Sequence, residues 1–227
     1  MRHHPREPFC TQYGARLVSE SRGGIISEVR ASLAILAACC LVALGSCRGS
    51  GGPQPVAGLK GTVPERPSEA ADFILTDQQG RTFAMADTRG KVVLLSFLAT
   101  HGGEGETEAV KTVHELLGAD ADHVVFVSVT LDPEGDTPAV LAAYSRQFGL
   151  FNVWHFVSGS SRDVEAVWFA YGVAVSTDPE TPFGSYDREY YAPLCLIDRR
   201  GYIRAFLDSD VTSAEIVKDI RLLLALR

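Results

Sequence analysis

Apolar residues along the chain fall into short continuous runs and helical stripes from about residue 71 onward. Two continuous runs, Val92–Leu98 and His123–Thr130, are predicted as strands buried on both faces. Further strands are predicted at Asp72–Leu75, Thr82–Met85, Trp154–Val157, Leu194–Ile197 and Tyr202–Phe206. Helical spacing is found over Thr107–Leu117, from Pro138 to Gly149, from Ser160 or Ser161 to Tyr171, and over Ser213–Leu226 with Ser213 as its cap.

The order of these elements predicts an α/β protein with the thioredoxin-like fold, a central mixed sheet flanked by helices. A helical crossover joins the two buried runs, so they are expected to pair in parallel as adjacent central strands. The first two short strands flank Asp77-Gln78-Gln79-Gly80, which predicts an N-terminal β-hairpin extension with a positive φ at Gly80.

Upstream of the folded part, the pattern indicates a bacterial lipoprotein signal. The apolar run Ala31–Leu44 has about 14 residues, short of the ~20 that span a bilayer. It leads into Gly45-Ser46-Cys47, small residues before a cysteine, which predicts a leader and signal peptide over 1–46 and lipidation of Cys47. The alternatives are a buried core helix or an uncleaved anchor. Because residues 1–28 are long and mixed for a leader, translation is expected to begin near Val29.

Segment 47–70 is rich in Gly, Pro and Ser and shows no periodicity, which predicts a flexible lipid-anchored tether. The folded domain is expected over 71–227.

The charge balance narrows the choice of partners. The chain has 21 basic and 28 acidic residues and no basic stripe, which argues against nucleic acid as a partner. Removal of 1–46 leaves 16 basic and 25 acidic residues. Such a domain has no electrostatic attraction to an anionic bilayer, so membrane attachment is expected to come from the lipid on Cys47.

Three segments resemble the SCO/SenC family, membrane-tethered thioredoxin-fold proteins that deliver copper and assist cytochrome c oxidase assembly. They are KVVLLSFLATHGGEGET at Lys91–Thr107, VSVTLDPEGDTP at Val127–Pro138, and LIDRRG at Leu196–Gly201. Asp132–Pro138 is open to a functional interpretation or to a structural one, and turn formation with helix capping by Asp136 or Thr137 favours the latter.

The resemblance also indicates what is missing. The family's bend reads roughly T-H-C-P-x-x-C-P, and here Thr100-His101-Gly102-Gly103-Glu104-Gly105-Glu106-Thr107 stands in its place. Gly102 and Glu106 thus replace the two cysteines, and Tyr190, eight residues before Asp198, replaces the histidine ligand. This set lacks the soft thiolates that select Cu(I), so no copper cofactor is expected. Restoring the three ligands is expected to give copper binding without loss of folding.

An alternative metal site uses His101, Glu104 and Glu106, which together form an imidazole–carboxylate set for a divalent ion. Cys195 lies in an apolar strand, where a lone cysteine is expected to be buried and inert.

Three functions, each from a different class of protein, are considered for this chain. The first is an accessory or interaction module with a protein partner in respiratory complex assembly, non-catalytic and lipid-anchored in the bacterial cell envelope, on the outer side of the inner membrane or in the periplasm. The second is a weak non-thiol metal binder. The third, a thiol oxidoreductase, is disfavoured because the bend has no cysteine to supply an attacking thiolate.

Overall fold

The computed structural model describes residues 52–174 and 192–226, which belong to one compact unit. Seven strands lie in these ranges: β1 Ile74–Asp77, β2 Thr82–Ala84, β3 Val92–Leu98, β4 Val124–Thr130, β5 Trp154–Ser158, β6 Leu194–Ile197 and β7 Ile203–Leu207. The α-helices are α1 Glu104–Leu117, α2 Pro138–Gln147, α3 Ser161–Tyr171 and α4 Ser213–Leu224. Short 3₁₀ turns cover Met85–Thr88 and Gly118–His123.

The strands form one mixed sheet in the order β2-β1-β5-β4-β3-β6-β7. β3 pairs in parallel with β4 from Val92 opposite Val124 to Leu98 opposite Thr130, and β4 pairs in parallel with β5. The remaining pairs are antiparallel. The predicted fold class and the parallel central pair are therefore confirmed.

All seven residues of β3 are buried because helices cover both faces of the sheet. Its odd-numbered apolar residues pack with α3, in a cluster that includes Val93, Leu95 and Trp168. Its even-numbered apolar residues pack with the other three helices, in a cluster that includes Leu94 and Ile220. A strand with no solvent face reads as a continuous apolar run, which is why the sequence pattern identified it.

The predicted N-terminal hairpin is present, although β1 lies two residues later than the predicted strand Asp72–Leu75. β1 and β2 pair antiparallel, and Gly80 has φ +74° in the turn between them. Asp77 Oδ1 accepts hydrogen bonds from the backbone N–H groups of Gln79 and Arg81. Burial raises the pKa of Asp77. These bonds and the Arg81 guanidinium together lower it by more than burial raises it, so the pKa lies below its ordinary value.

The predicted flexible tether differs from the structure over its described part, 52–70. Thr62 forms a two-way backbone bridge with Phe206 in β7, and Ser68 and Ala70 bond to Ile203 and Gly201. Val56 and Leu59 pack against the core between the sheet and α4. Gly and Pro weaken helix and strand periodicity, but the backbone groups of the residues between them still pair with the exposed sheet edge. Contacts with the folded domain therefore begin at Gln54, well before the predicted boundary at 71.

The N-cap of α4 is Thr212, one residue before the predicted Ser213. The Thr212 hydroxyl accepts from the Glu215 N–H, and the Glu215 carboxylate accepts from the Thr212 N–H, at 3.4 and 3.1 Å. This reciprocal pair satisfies two backbone donors at the helix start, which a serine at 213 with helical backbone does not. The bonds from Thr212, together with Lys60, lower the pKa of Glu215 from its ordinary value of 4.5 to about 2.

Replacing Thr212 with alanine is expected to lower the free energy of unfolding by about 1 kcal/mol. Because the pKa of Glu215 is lowered in the folded chain, its stabilising contribution is present above pH 4.5 and is lost as the pH falls towards about 2. The Thr212→Ala variant should therefore show a weaker pH dependence in that window, measured by denaturant unfolding. Ser213→Ala is the matched control, and an equal loss in that control would contradict the assignment of the cap.

Among residues 52–174 and 192–226, no helix combines the length and apolar character that crossing a bilayer requires.

Candidate functional site

The candidate site lies where the chain leaves β3 and turns into α1. The parallel strands β3 and β4 end together at Leu98 and Thr130, so the segments that follow them meet at one edge of the sheet. The bend covers residues 99–103. Within it, Thr100 is buried and His101 is exposed.

Two glycines shape this bend. Gly102 has φ +85°, a left-handed conformation that side chains with a Cβ rarely adopt. Gly103 is the N-cap residue of α1, and a Cβ there would lie 2.4 Å from the Ala99 carbonyl oxygen. The chain therefore needs glycine at both positions to turn in this way.

Helix α1 begins at Glu104, three residues before the predicted start at Thr107. The turn is complete at Gly103, so Glu104, Gly105 and Glu106 form the first helical turn instead of a loop. Thr107 is fully buried, and both its N–H and its hydroxyl donate to the Gly103 carbonyl, at 3.0 and 2.7 Å.

The Thr107 hydroxyl also lies 2.9 Å from the Tyr144 hydroxyl of α2. Burial, offset in part by this hydrogen bond, raises the pKa of Tyr144 to about 12, and the nearby carboxylates Glu104, Glu106 and Asp136 raise it as well. The phenol is therefore neutral across the physiological range and serves as a hydrogen-bonding group beneath the bend.

A buried carboxylate, Asp136, joins the two strand ends. Its Oδ1 accepts from the Thr100 hydroxyl and its Oδ2 from the Thr130 hydroxyl, each at 2.5 Å. The Thr100 N–H also donates to Oδ2, at 3.3 Å. Thr137 caps α2 by accepting from the Val140 N–H, which confirms one of the two predicted caps. These contacts support the structural interpretation of Asp132–Pro138.

The alternative metal set is not brought together. His101 is exposed on the bend, whereas Glu104 and Glu106 lie on the first turn of α1. Two residues apart on a helix, their side chains diverge by about 200°. In the part of the chain that the structure describes, no group of three or more His, Cys, Asp or Glu side chains is arranged to hold a metal ion.

The sequence profile of the SCO1/SenC family matches residues 62–225, most of the chain. This chain belongs to the SCO1/SenC family. The matched range starts inside the segment predicted as a tether, in agreement with the bridge from Thr62 to β7.

Known relatives cover the same domain. The mouse mitochondrial protein SCO2 homolog is 29% identical over 160 residues, which are 66% of this chain and 60% of that protein. Among solved structures, copper-bound ScoI of Bradyrhizobium japonicum is 28% identical with a TM-score of 0.60, covering 69% of this chain and 99% of that one. Apo Sco1 of Thermus thermophilus is 25% identical with a TM-score of 0.60, covering 75% and 100%. The chain thus spans about three fifths of the mammalian relative and nearly all of the solved bacterial domains.

The resemblance to the family places Gly102 and Glu106 at its two cysteine positions. Gly102 has no donor atom, and Glu106 offers a hard carboxylate oxygen where a soft thiolate suits Cu(I). Tyr190, like the predicted lipidation site Cys47, lies outside the described residues. The bend of this SCO1/SenC domain therefore supplies no thiolate.

Cys195 does not replace the missing thiols. It lies in β6 opposite Leu95, in the middle of β3, and is fully buried. Burial raises the pKa of its thiol to about 12, so the thiol is protonated at neutral pH. The prediction that Cys195 is a buried residue is confirmed.

Sequence reasoning missed the polar residues that hold the bend in this SCO1/SenC domain: Thr100, Thr107, Thr130 and Tyr144. Their side-chain hydrogen-bond partners lie 36 residues or more away in the chain, except for the Thr130–Asp136, Thr130–Asp132 and Thr107–Gly103 pairs. One signal was available. Thr100 follows one apolar run and Thr130 ends the other, at the same sheet edge, where a buried acid needs donors.

Proposed function

We propose that this SCO1/SenC chain is a non-catalytic accessory or interaction module in the assembly of cytochrome c oxidase, and that it works without coordinating copper itself. The proposal rests on the bend, where the resemblance places Gly102 and Glu106 at the positions of the family's two cysteines, within the family's fold. A domain that keeps its scaffold but has no ligands retains its surfaces for protein contact. Oxidase assembly is taken from the family and from the SCO relatives.

Thiol chemistry is not part of this role. Exchange requires an attacking thiolate, and the described residues contain a single cysteine, buried with a strongly raised pKa. The partner is therefore expected to bind the protein surface around the bend and not to exchange a disulfide with it.

The location proposed is the bacterial cell envelope, with the domain attached through lipid on Cys47 at the outer side of the inner membrane or in the periplasm. The pattern Gly45-Ser46-Cys47 after a short apolar run supports this proposal. Since the described chain contacts the domain from Gln54 onward, few residues separate Cys47 from the folded part.

Deletion of the gene in its host is expected to lower cytochrome c oxidase activity in membranes, and the intact chain should restore it. Affinity capture of the lipidated chain from native membranes should recover oxidase subunits or another assembly protein. Cys47→Ala is the control for attachment and should fail to fractionate with membranes at the mature size. Normal oxidase activity in the deletion strain would contradict the proposal.

The purified chain should also lose Cu(I) to a tight chelator in a competition titration, because no thiolate lies at the bend. Stoichiometric retention of copper would contradict the copper-free role. If His101→Ala or Glu106→Ala then abolished copper retention, the chain would be a non-thiol metal binder and not a copper-free module. If Cys195→Ser abolished retention, the copper would be assigned to that thiol.

A further inference from the structure

We infer that the bend between β3 and α1 has a glycine-type backbone that accommodates neither a cysteine at 102 nor a proline at 103, so that replacing the three ligand residues alone does not restore a copper site. The conformation of the bend is independent of any role in oxidase assembly. The expectation that restored ligands leave folding intact is therefore revised.

The first obstacle is Gly102. Its φ of +85° places it in the left-handed region, where a Cβ crowds the neighbouring backbone. A cysteine at this position must either accept that strain or move the bend to a negative φ.

The second obstacle is Gly103. A Cβ on this residue would lie 2.4 Å from the Ala99 carbonyl oxygen and 3.2 Å from the Leu98 Cβ. The nearest of these atoms belongs to the backbone, so no rotamer change relieves the contact. A proline here carries that Cβ and also drives the preceding residue to a negative, extended φ, opposite to that of Gly102.

Thr107 is adapted to the same conformation. Its N–H and its hydroxyl both donate to the Gly103 carbonyl, and its hydroxyl contacts Tyr144. The proline that the family pattern has at this position offers neither donor. At the other end of the bend, Thr100 is bound to Asp136 through its N–H and its hydroxyl. Both ends are therefore held, and a change of backbone position at Thr100 or Thr107 would break these bonds.

Alanine substitutions at three glycines of the purified full-length chain test this inference. Gly102→Ala is expected to lower Tm by roughly 2–8 °C because of the left-handed φ, and Gly103→Ala should lower it at least as much. Gly105→Ala is the matched control. It lies in α1 with no atom within 4 Å of an added Cβ, so Tm should rise by roughly 1–4 °C. Unchanged Tm in both Gly102→Ala and Gly103→Ala would overturn the inference.

A second comparison uses copper. One variant carries Gly102→Cys, Glu106→Cys and Tyr190→His, and the other adds Gly103→Pro and Thr107→Pro to these. With a Cu(I) chelator as competitor, the first should bind roughly tenfold more weakly than the second. Its cysteine at 102 works against the glycine-type bend, whereas the two added prolines remove the bonds and the left-handed φ that hold this bend. If both variants keep the Tm of the parent chain and bind Cu(I) with equal affinity, the inference is overturned. Neither experiment measures oxidase activity. A negative result would therefore overturn the inference about the bend without bearing on the proposed role in oxidase assembly.

Discussion

Replacing Asp198 with alanine is expected to lower the free energy of unfolding by about 3–5 kcal/mol, because it leaves the Arg204 charge buried without its partner. Both side chains are about 95% buried, and the guanidinium donates to Asp198 Oδ2 through Nε at 2.6 Å and through a terminal nitrogen at 2.5 Å. Oδ1 accepts from the backbone N–H groups of Arg200 and Tyr202. Arg204 also donates to the Gln54 carbonyl, so the substitution should loosen the N-terminal segment as well.

Denaturant unfolding measures this loss, with Asp210→Ala as the matched control at an exposed aspartate. The control should stay within about 0.5 kcal/mol of the parent chain. A double variant, Asp198→Leu with Arg204→Met, should lose less than Asp198→Ala because neither charge is then left unpaired. A single variant as stable as the control would refute the role of the ion pair.

Replacing Asp136 with alanine is expected to cost about 2–4 kcal/mol, because two buried hydroxyls and one backbone N–H lose their acceptor. Asp136 is 1% exposed, and its partners Thr100 and Thr130 belong to the two strand ends that define the candidate site. The loss should be greatest at the bend, and hydrogen exchange of the Thr100 N–H should accelerate more than exchange within β3.

Glu134→Ala, an exposed acid in the same loop, is the control and should leave stability and exchange nearly unchanged. Asp136→Asn retains one carbonyl acceptor and should fall between the two. If Asp136→Ala destabilises the chain no more than Glu134→Ala, the carboxylate does not hold the strand ends together.

Elements with a strong local signal were predicted correctly. β3 was predicted to the residue because it is apolar throughout, and its parallel pairing with β4 followed from the helix that joins them. Gly80 was identified as the turn glycine and Thr137 as one of two possible caps, because turn and cap preferences depend on neighbours in sequence.

Features that depend on distant residues were missed or misplaced. The segment 52–70 has a linker composition, yet its backbone pairs with β7 more than 130 residues away. Thr100 and Thr107 have no sequence pattern that distinguishes them from exposed threonines, because their partners Asp136 and Tyr144 are brought to them by the sheet.

By itself, the sequence determined that this chain has a thioredoxin-like α/β domain without cysteines at the bend, since both properties are matters of residue type and spacing. Only the tertiary structure decided how the bend is built. The φ of Gly102, the approach of Gly103 to Ala99 and the bonds from Thr107 follow from how α1 is packed against the sheet. A Cβ clash depends on the positions of atoms in space. The sequence alone shows that the two glycines carry no donor atom, but it does not show that the backbone requires them.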